Sequence, residues 1–424
     1  MSSRAAHGRV DAKLQLAVWN AYAFVVLQLA NVSTLFSEPT VLSRAILAGV
    51  AITVLVGLAF NLLQRRLVIV AASGGIMALL VAQAFVFANV SGYPINWNIL
   101  FSYTGILSFA VFTPLSGQQL DRVLRMLFVV SLAYCTLYLV LAIGVVRLPG
   151  LKVLDDEVRG SRLFLSTAHA AYCLFHGIAS LREGKRIALW LLPALLSAAA
   201  IALFFSRVFT LLLAIVVVLS LIAGTSRLVR QLLCGFLLTA AGAILLGVVA
   251  PDLNPFAALG ADPSGAARAA AYEILRGLLT NHWLLGIGLA SEVKDFSVFV
   301  GQQYVFWEDV GPLGVWATFG LAGLIGFLGL AMFCILGVRR PAEMDEARFA
   351  TLSWSGILAG LTAIHSPDLL GGSAAPIVGL MIALALRMPD HAQAPVQHQR
   401  STLPVPLRRR TPAVASSVKA LTRD

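Results

Sequence analysis

The sequence predicts an all-α polytopic membrane protein, with about twelve transmembrane helices and one large outer loop that contains an amphipathic helix. Three observations predict it. The 424 residues are 59% hydrophobic and 12% charged, with a mean hydropathy of +0.86, whereas a soluble domain carries about 25% charged residues. Apolar runs recur along the chain near the ~20 residues that a helix needs to cross the hydrocarbon core. Lysine and arginine alternate between connections in the positive-inside pattern. The net charge of +11 therefore follows from topology and does not point to nucleic acid.

The first apolar run follows MSSRAAHGRVDAK, with no small-residue cleavage site after it. It reads as a retained helix, not a removed signal peptide. The twelve spans are expected at 14–35, 44–63, 67–90, 97–115, 126–146, 163–181, 187–205, 208–224, 231–250, 312–337, 349–366 and 371–387. From Ile187 to Ala223 the only charge is Arg207. Those 37 residues suit two spans of about 17–18 residues better than one, with a turn near FFSRVF. With the N-terminus in the cytoplasm, 22 of the 31 Lys and Arg residues are cytoplasmic. Among them are Arg65, Arg66, Arg122, Arg125, Arg182, Arg227, Arg230 and seven from Arg387 onward. An even span count with both ends cytoplasmic follows.

A single transmembrane domain covers 1–387, and 388–424 is a proline-rich basic tail, expected to be disordered near anionic lipid. The large outer loop covers 251–311. Within it PSGAARAAAYEILRGLLTNHWLLGIG reads as a helix capped by Ser264 and ended by Gly286 and Gly288. Ala269, Tyr272, Leu275, Leu279 and Trp283 give it one apolar face, so it lies at the interface and does not span. A second outer loop covers 147–162. The glycines of GLAGLIGFLG (320–329) read as close helix packing. The four cysteines sit in apolar runs as small packing residues. There is no internal repeat.

Arginine in hydrocarbon costs at least ~2.5–3.5 kcal/mol on insertion scales, so Arg207 needs a reason. Either it marks the turn and snorkels to headgroups, or it faces a polar cavity and binds an anion. Topology disfavours an outer cation, which favours the second reading. Arg268 and Arg276 lie eight apart on the loop helix and share roughly one face. That face is either solvated or joins Arg207 in a cationic cluster whose guanidinium forks suit phosphate. Glu308 and Asp309 precede the tenth span. They read as a general base, or as acidic complements to a helix N-terminus with Pro312 in its first turn. His282, the only histidine of the outer loops, is a candidate proton acceptor. His169, His365 and Asp368 are intramembrane polar residues, either functional or bonding between helices. No nucleotide-binding, zinc or serine-hydrolase motif occurs.

Taken in order, FFSRVFTLLLAIVVVL, RAAAYEILRGLLTNHWLLGIGLA and EDVGPLGVWATFGLAGLIGFLGL resemble the O-antigen polymerase and O-antigen ligase superfamily of bacterial polysaccharide assembly. The likeness covers mainly residues 200–330 and rests on motif order. The resemblance implies a bacterial inner-membrane protein whose outer loops are periplasmic. It implies a glycan donor on undecaprenyl pyrophosphate and an acceptor hydroxyl. In a polymerase that hydroxyl belongs to another lipid-linked repeat unit; in a ligase it belongs to lipid A–core. The motif arginines, here Arg207 and Arg268, would hold the pyrophosphate. No cofactor, metal or nucleotide sugar is implied, because the pyrophosphate is already a leaving group. The implied partners are the lipid-linked oligosaccharide, the membrane, a flippase and a chain-length regulator.

Ligases of this family place a histidine before the glycine-rich span, where this chain has WEDVG. The departure favours a polymerase, particularly of exopolysaccharide, over a ligase. A transporter or flippase is the alternative from another class; matching halves would mark it, and none is found. The expected site is therefore Arg207, Arg268 and Arg276 on pyrophosphate, with Asp309, Glu308 or His282 taking the hydroxyl proton.

Overall fold

The computed structural model describes residues 2–28, 41–95, 100, 103–146, 151, 153–156, 160–185, 187–204, 206–222, 226–250, 254–256, 263–289, 307–370 and 374–387. The chain divides into two units, Met1–Arg387 and Met388–Asp424. The second unit, with the expected basic tail, lies outside the described residues.

The first unit is mainly helical. Its helices are α1 (Ser2–Gln28), α2 (Val41–Leu63), α3 (Leu67–Ser91), α4 (Phe109–Phe112), α5 (Gly117–Ala142), α6 (Thr167–Arg182) and α7 (Ile187–Phe204). They continue with α8 (Arg207–Ile222), α9 (Arg227–Val249), α10 (Pro263–His282), α11 (Pro312–Leu336), α12 (Glu346–Thr362) and α13 (Ala375–Ala385). Segments of α2, α3, α5, α9 and α11 are long and apolar enough to cross a membrane; α7, α8 and α13 are apolar but shorter.

The centre is built on α6, which packs against α5, α7 and α12, while α12 also packs on α11 and α8. Its large buried side chains include Tyr134, Tyr138, Tyr172 and Phe175. A buried phenol needs a partner, and each tyrosine has one. Tyr138 donates to the Leu163 carbonyl at 3.1 Å and Tyr172 to that of Leu124 at 3.2 Å. Tyr134 accepts from the Ser166 amide at 2.7 Å. The four cysteines are buried and unpaired, as packing residues should be.

The apolar run at 187–224 is divided, as its length requires: α7 ends at Phe204 and α8 opens at Arg207. The two halves then part. α7 lies on α6 and α5, and α8 on α12. Other expectations are corrected. Of the fourth span expected at 97–115, residues 97–99 and 101–102 lie outside the described residues; Leu100 and Tyr103 are helical, followed by a 3-10 turn, Thr104–Ser108, and the single turn of α4. Thr104, Leu107 and Phe109 are buried there. Between α5 and α6 an antiparallel hairpin pairs β1 (Val153–Asp156) with β2 (Gly160–Leu163), where an irregular loop is expected. α10 starts at Pro263, so Ser264 sits inside its first turn and is not the cap; the Ser264 side chain lies outside the described residues. α12 ends at Thr362, so His365 stands beyond the helix, in the turn that follows.

Three arginines counted as topology charges close helix ends. Arg230 on α9 is buried and donates to the carbonyls of Ile335 and Leu336 at 3.0 and 2.9 Å, and to Ser353. Arg182 on α6 donates to Ser220 near the end of α8. Arg66 donates to Thr113, just past α4. The last carbonyls of a helix have no partner within it, and a cation there also meets the negative end of the helix dipole.

Candidate functional site

The site is organised by a break in α11. Gly320 has φ 71 and ψ −173, outside the helical region, so nearby backbone groups lose their intrahelical partners. The segment after α10 supplies replacements. Ile287 N–H donates to Ala317 O at 2.8 Å, Gly288 N–H to Thr318 O at 3.0 Å, and Leu321 N–H to Leu284 O at 3.1 Å. Leu289 N–H donates to Gln83 O of α3 at 3.1 Å. Gly286 and Gly288 lie at φ 71 and 86, and a Cβ on Gly288 would stand 2.3 Å from the Phe87 nitrogen. The G-x-G pattern exists because two backbones meet there.

The body of α10 is held by its apolar face. Tyr272, Leu275 and Leu279 are buried while Trp283 is exposed, and the Tyr272 hydroxyl donates to Ile244 O of α9 at 2.6 Å. α10 packs on α11 and on the 3-10 turn Trp307–Val310. That turn carries Asp309, exposed to solvent. Two residues on, Gly311 takes φ 55, and a Cβ there would lie 2.1 Å from Ile364 O and 3.0 Å from His365 N. The chain before α11 thus rests directly on the turn after α12.

The charges of Arg268 and Asp309 both reach His365 at this junction. Arg268 is half-buried, and its Nε is shielded from solvent with no hydrogen-bond partner. The Nε2 of His365 is likewise buried and unpartnered. Burial pushes the His365 imidazole down to about 4; its own backbone carbonyl opposes this, the Arg268 charge adds to it, and Asp309 opposes it. Two unpartnered buried polar atoms cost about 1–3 kcal/mol each. A structure retains such a cost for a ligand more readily than for packing.

An apolar cavity of about 390 Å³ lies between α3, α11 and α13. Leu79, Gln83, Phe319, Phe327, Leu369 and Ile382 are among its walls. Two of its walls belong to neighbouring segments: Leu369 stands four residues after His365, and Phe319 meets Trp307 edge-to-face with ring centroids 6.2 Å apart. The glycines expected as helix contacts help to make the space. Gly323 and Gly326 line it, and nothing lies within 4 Å of a Cβ on Gly326. Gln83 crosses its end, donating from Nε2 to Leu285 O at 3.3 Å, with its Oε1 buried and unpartnered.

The other expected residues are placed as follows. Arg207 is exposed at the start of α8. Phe209, two residues on, shares a small cavity with Thr362 and Ala374, so Arg207 and His365 belong to the same end of the helix bundle. Arg276 pairs with Glu273 at 2.7 Å and stands about 12 Å along the α10 axis from Arg268. His282 closes α10 about 21 Å along the axis from Arg268, so the helix does not bring it to the junction. Of Glu308 only the backbone is described, within the 3-10 turn; the Asp368 side chain lies outside the described residues. Among the described residues no three His, Cys, Asp or Glu side chains form a metal-binding group. His365 is the residue that sequence reasoning left among general polar candidates. Its signal is HSPD, a histidine with a proline after it, where a helix must stop.

No family model matches the chain, and neither a curated protein nor a solved structure is similar to it.

Proposed function

We propose that this protein is a bacterial inner-membrane glycosyltransferase of about twelve spans with both termini cytoplasmic. It polymerises undecaprenyl-pyrophosphate-linked repeat units at the periplasmic face, in exopolysaccharide or O-antigen synthesis. One observation carries the reading: Arg268 holds a buried Nε with no partner, and α11, on which its helix packs, walls an apolar cavity of about 390 Å³. A cationic group and an apolar groove on two packed helices suit an amphiphile with a phosphate head and a hydrocarbon tail. The cavity volume falls within the ~300–1,000 Å³ typical of ligand sites. The motif order of residues 200–330 agrees with this substrate.

In this mechanism Arg268, with Arg207 at the same end of the bundle, neutralises the donor pyrophosphate and the charge that develops as it leaves. α10 covers the mouth and positions the glycan. Arg276 is balanced by Glu273 and contributes little to phosphate binding. The pyrophosphate is the leaving group, so the chemistry consists of positioning, charge neutralisation and one proton transfer.

The test uses Arg268→Ala and Arg207→Ala in cells that contain each variant at the normal level. Loss of high-molecular-weight polysaccharide with accumulation of single lipid-linked units is expected, most completely for Arg268→Ala. Normal polymer from both variants overturns the pyrophosphate site. Polymer that stays on its lipid carrier and never reaches lipid A–core identifies a ligase. Loss of a transported solute with normal polymer identifies a transporter.

A further inference from the structure

Sequence reasoning leaves the proton acceptor open among Asp309, Glu308 and His282. Geometry narrows the choice. His282 stands at the far end of α10, and Asp309 is exposed to solvent, where water competes for a carboxylate. The His365 ring nitrogen Nε2 is shielded from water and has no partner. With its proton on Nδ1, the neutral ring carries a lone pair on Nε2. Neutral at pH 7, with Nε2 ready to accept, the ring is poised for proton abstraction.

We propose that His365 is the general base of glycosyl transfer at this junction, accepting the acceptor hydroxyl's proton on Nε2; this rests on the lipid-pyrophosphate reading above. The hydroxyl oxygen forms a bond to the anomeric carbon of the donor glycan. The bond from that carbon to the pyrophosphate oxygen breaks, and its electron pair leaves with the lipid pyrophosphate. The hydroxyl proton passes to Nε2 and gives an imidazolium, which returns it to the departing pyrophosphate or to water. Asp309 faces this imidazolium and complements its charge; Arg268 faces the leaving group. A pyrophosphate bound at Arg268 also offsets that cation. This removes the part of the lowering that Arg268 causes, while burial, the larger cause, remains.

The experiment separates binding from chemistry. Full-length protein in lipid nanodiscs is titrated with geranylgeranyl pyrophosphate, and polysaccharide length is measured in cells. His365→Asn is expected to bind the probe about as wild type does and to lower polymer formation by about 10²-fold or more, the usual weight of a general base. Binding of the probe also shows that the variant is folded. His365→Gln is assayed in parallel, and if His365→Asn fails to accumulate, the Gln variant decides. Wild-type polymer from a probe-binding variant overturns the base assignment and leaves the lipid-pyrophosphate reading intact. Lost probe binding in both variants also overturns it, because the ring then belongs to the head-group site. A wild-type protein that binds no probe overturns both readings at once.

Discussion

Arg230 shows how much one side chain can do beyond what topology asks of it. As a cation next to a membrane span it needs only to mark a side. In the fold it is buried, and its guanidinium holds the last carbonyls of α11 and the hydroxyl of Ser353 on α12. Three helices therefore depend on one residue. Replacing it with methionine keeps most of the volume and leaves those carbonyls buried without a donor. The expected cost is about 3 kcal/mol, the scale for hydrogen bonds from a charged donor. It is read as a lower unfolding temperature of the detergent-solubilised protein, with Arg230→Lys intermediate. An unchanged unfolding temperature for Arg230→Met sinks the capping role. Arg268 is the opposite case among the arginines: its Nε is buried and has no partner. The contrast between the two, more than charge alone, is why the proposed site is built on Arg268 and not on Arg230.

At the scale of the element, the break in α11 does two jobs with one set of glycines. Gly286, Gly288 and Gly320 let the segment after α10 dock on exposed backbone, and Gly323 and Gly326 leave the groove open below. The two jobs can be tested separately. Gly288→Ala puts a side chain at φ 86, where an L-residue costs about 1–2 kcal/mol, and drives its Cβ into the backbone of α3. Unfolding temperature and polymer formation should both fall, because neither backbone can yield cheaply. Gly326→Leu meets nothing within 4 Å of its Cβ and fills groove volume. There the unfolding temperature should hold while affinity for geranylgeranyl pyrophosphate drops by about tenfold, or 1.4 kcal/mol. Equal probe affinity in that variant would detach the groove from lipid binding. Sequence patterning could not distinguish these glycines, because in a linear pattern G-x-x-G reads the same whether it packs a helix or hollows a cavity.

For the whole molecule, what was legible in the sequence follows from short-range physics. Apolar length marks the helices, and the division at Ser206 and Arg207 follows from the length of one run. The face of α10 was legible from its period, and Tyr272, Leu275 and Leu279 are the residues it buries. The junction was not legible. Arg268 and His365 lie almost a hundred residues apart, and nothing local to either says that Gly311 brings one turn onto the other. Sidedness rests on the cation distribution, and the site depends on it. Arg66, Arg182 and Arg230 cap helices, while the charges of Arg268 and Asp309 reach His365 beside α10. If 22 of the 31 cations are cytoplasmic, the junction faces the periplasm, where a lipid-linked glycan is presented. Alkaline phosphatase fused after Ala258 should then be active, and a green fluorescent protein fused after Asp424 should fluoresce. A fluorescent protein after Arg340 should match the C-terminal one, because α11 separates both from the loop. The reverse pattern at Ala258 would turn the junction toward the cytoplasm and remove the periplasmic polymerase reading, whatever the arginine variants show.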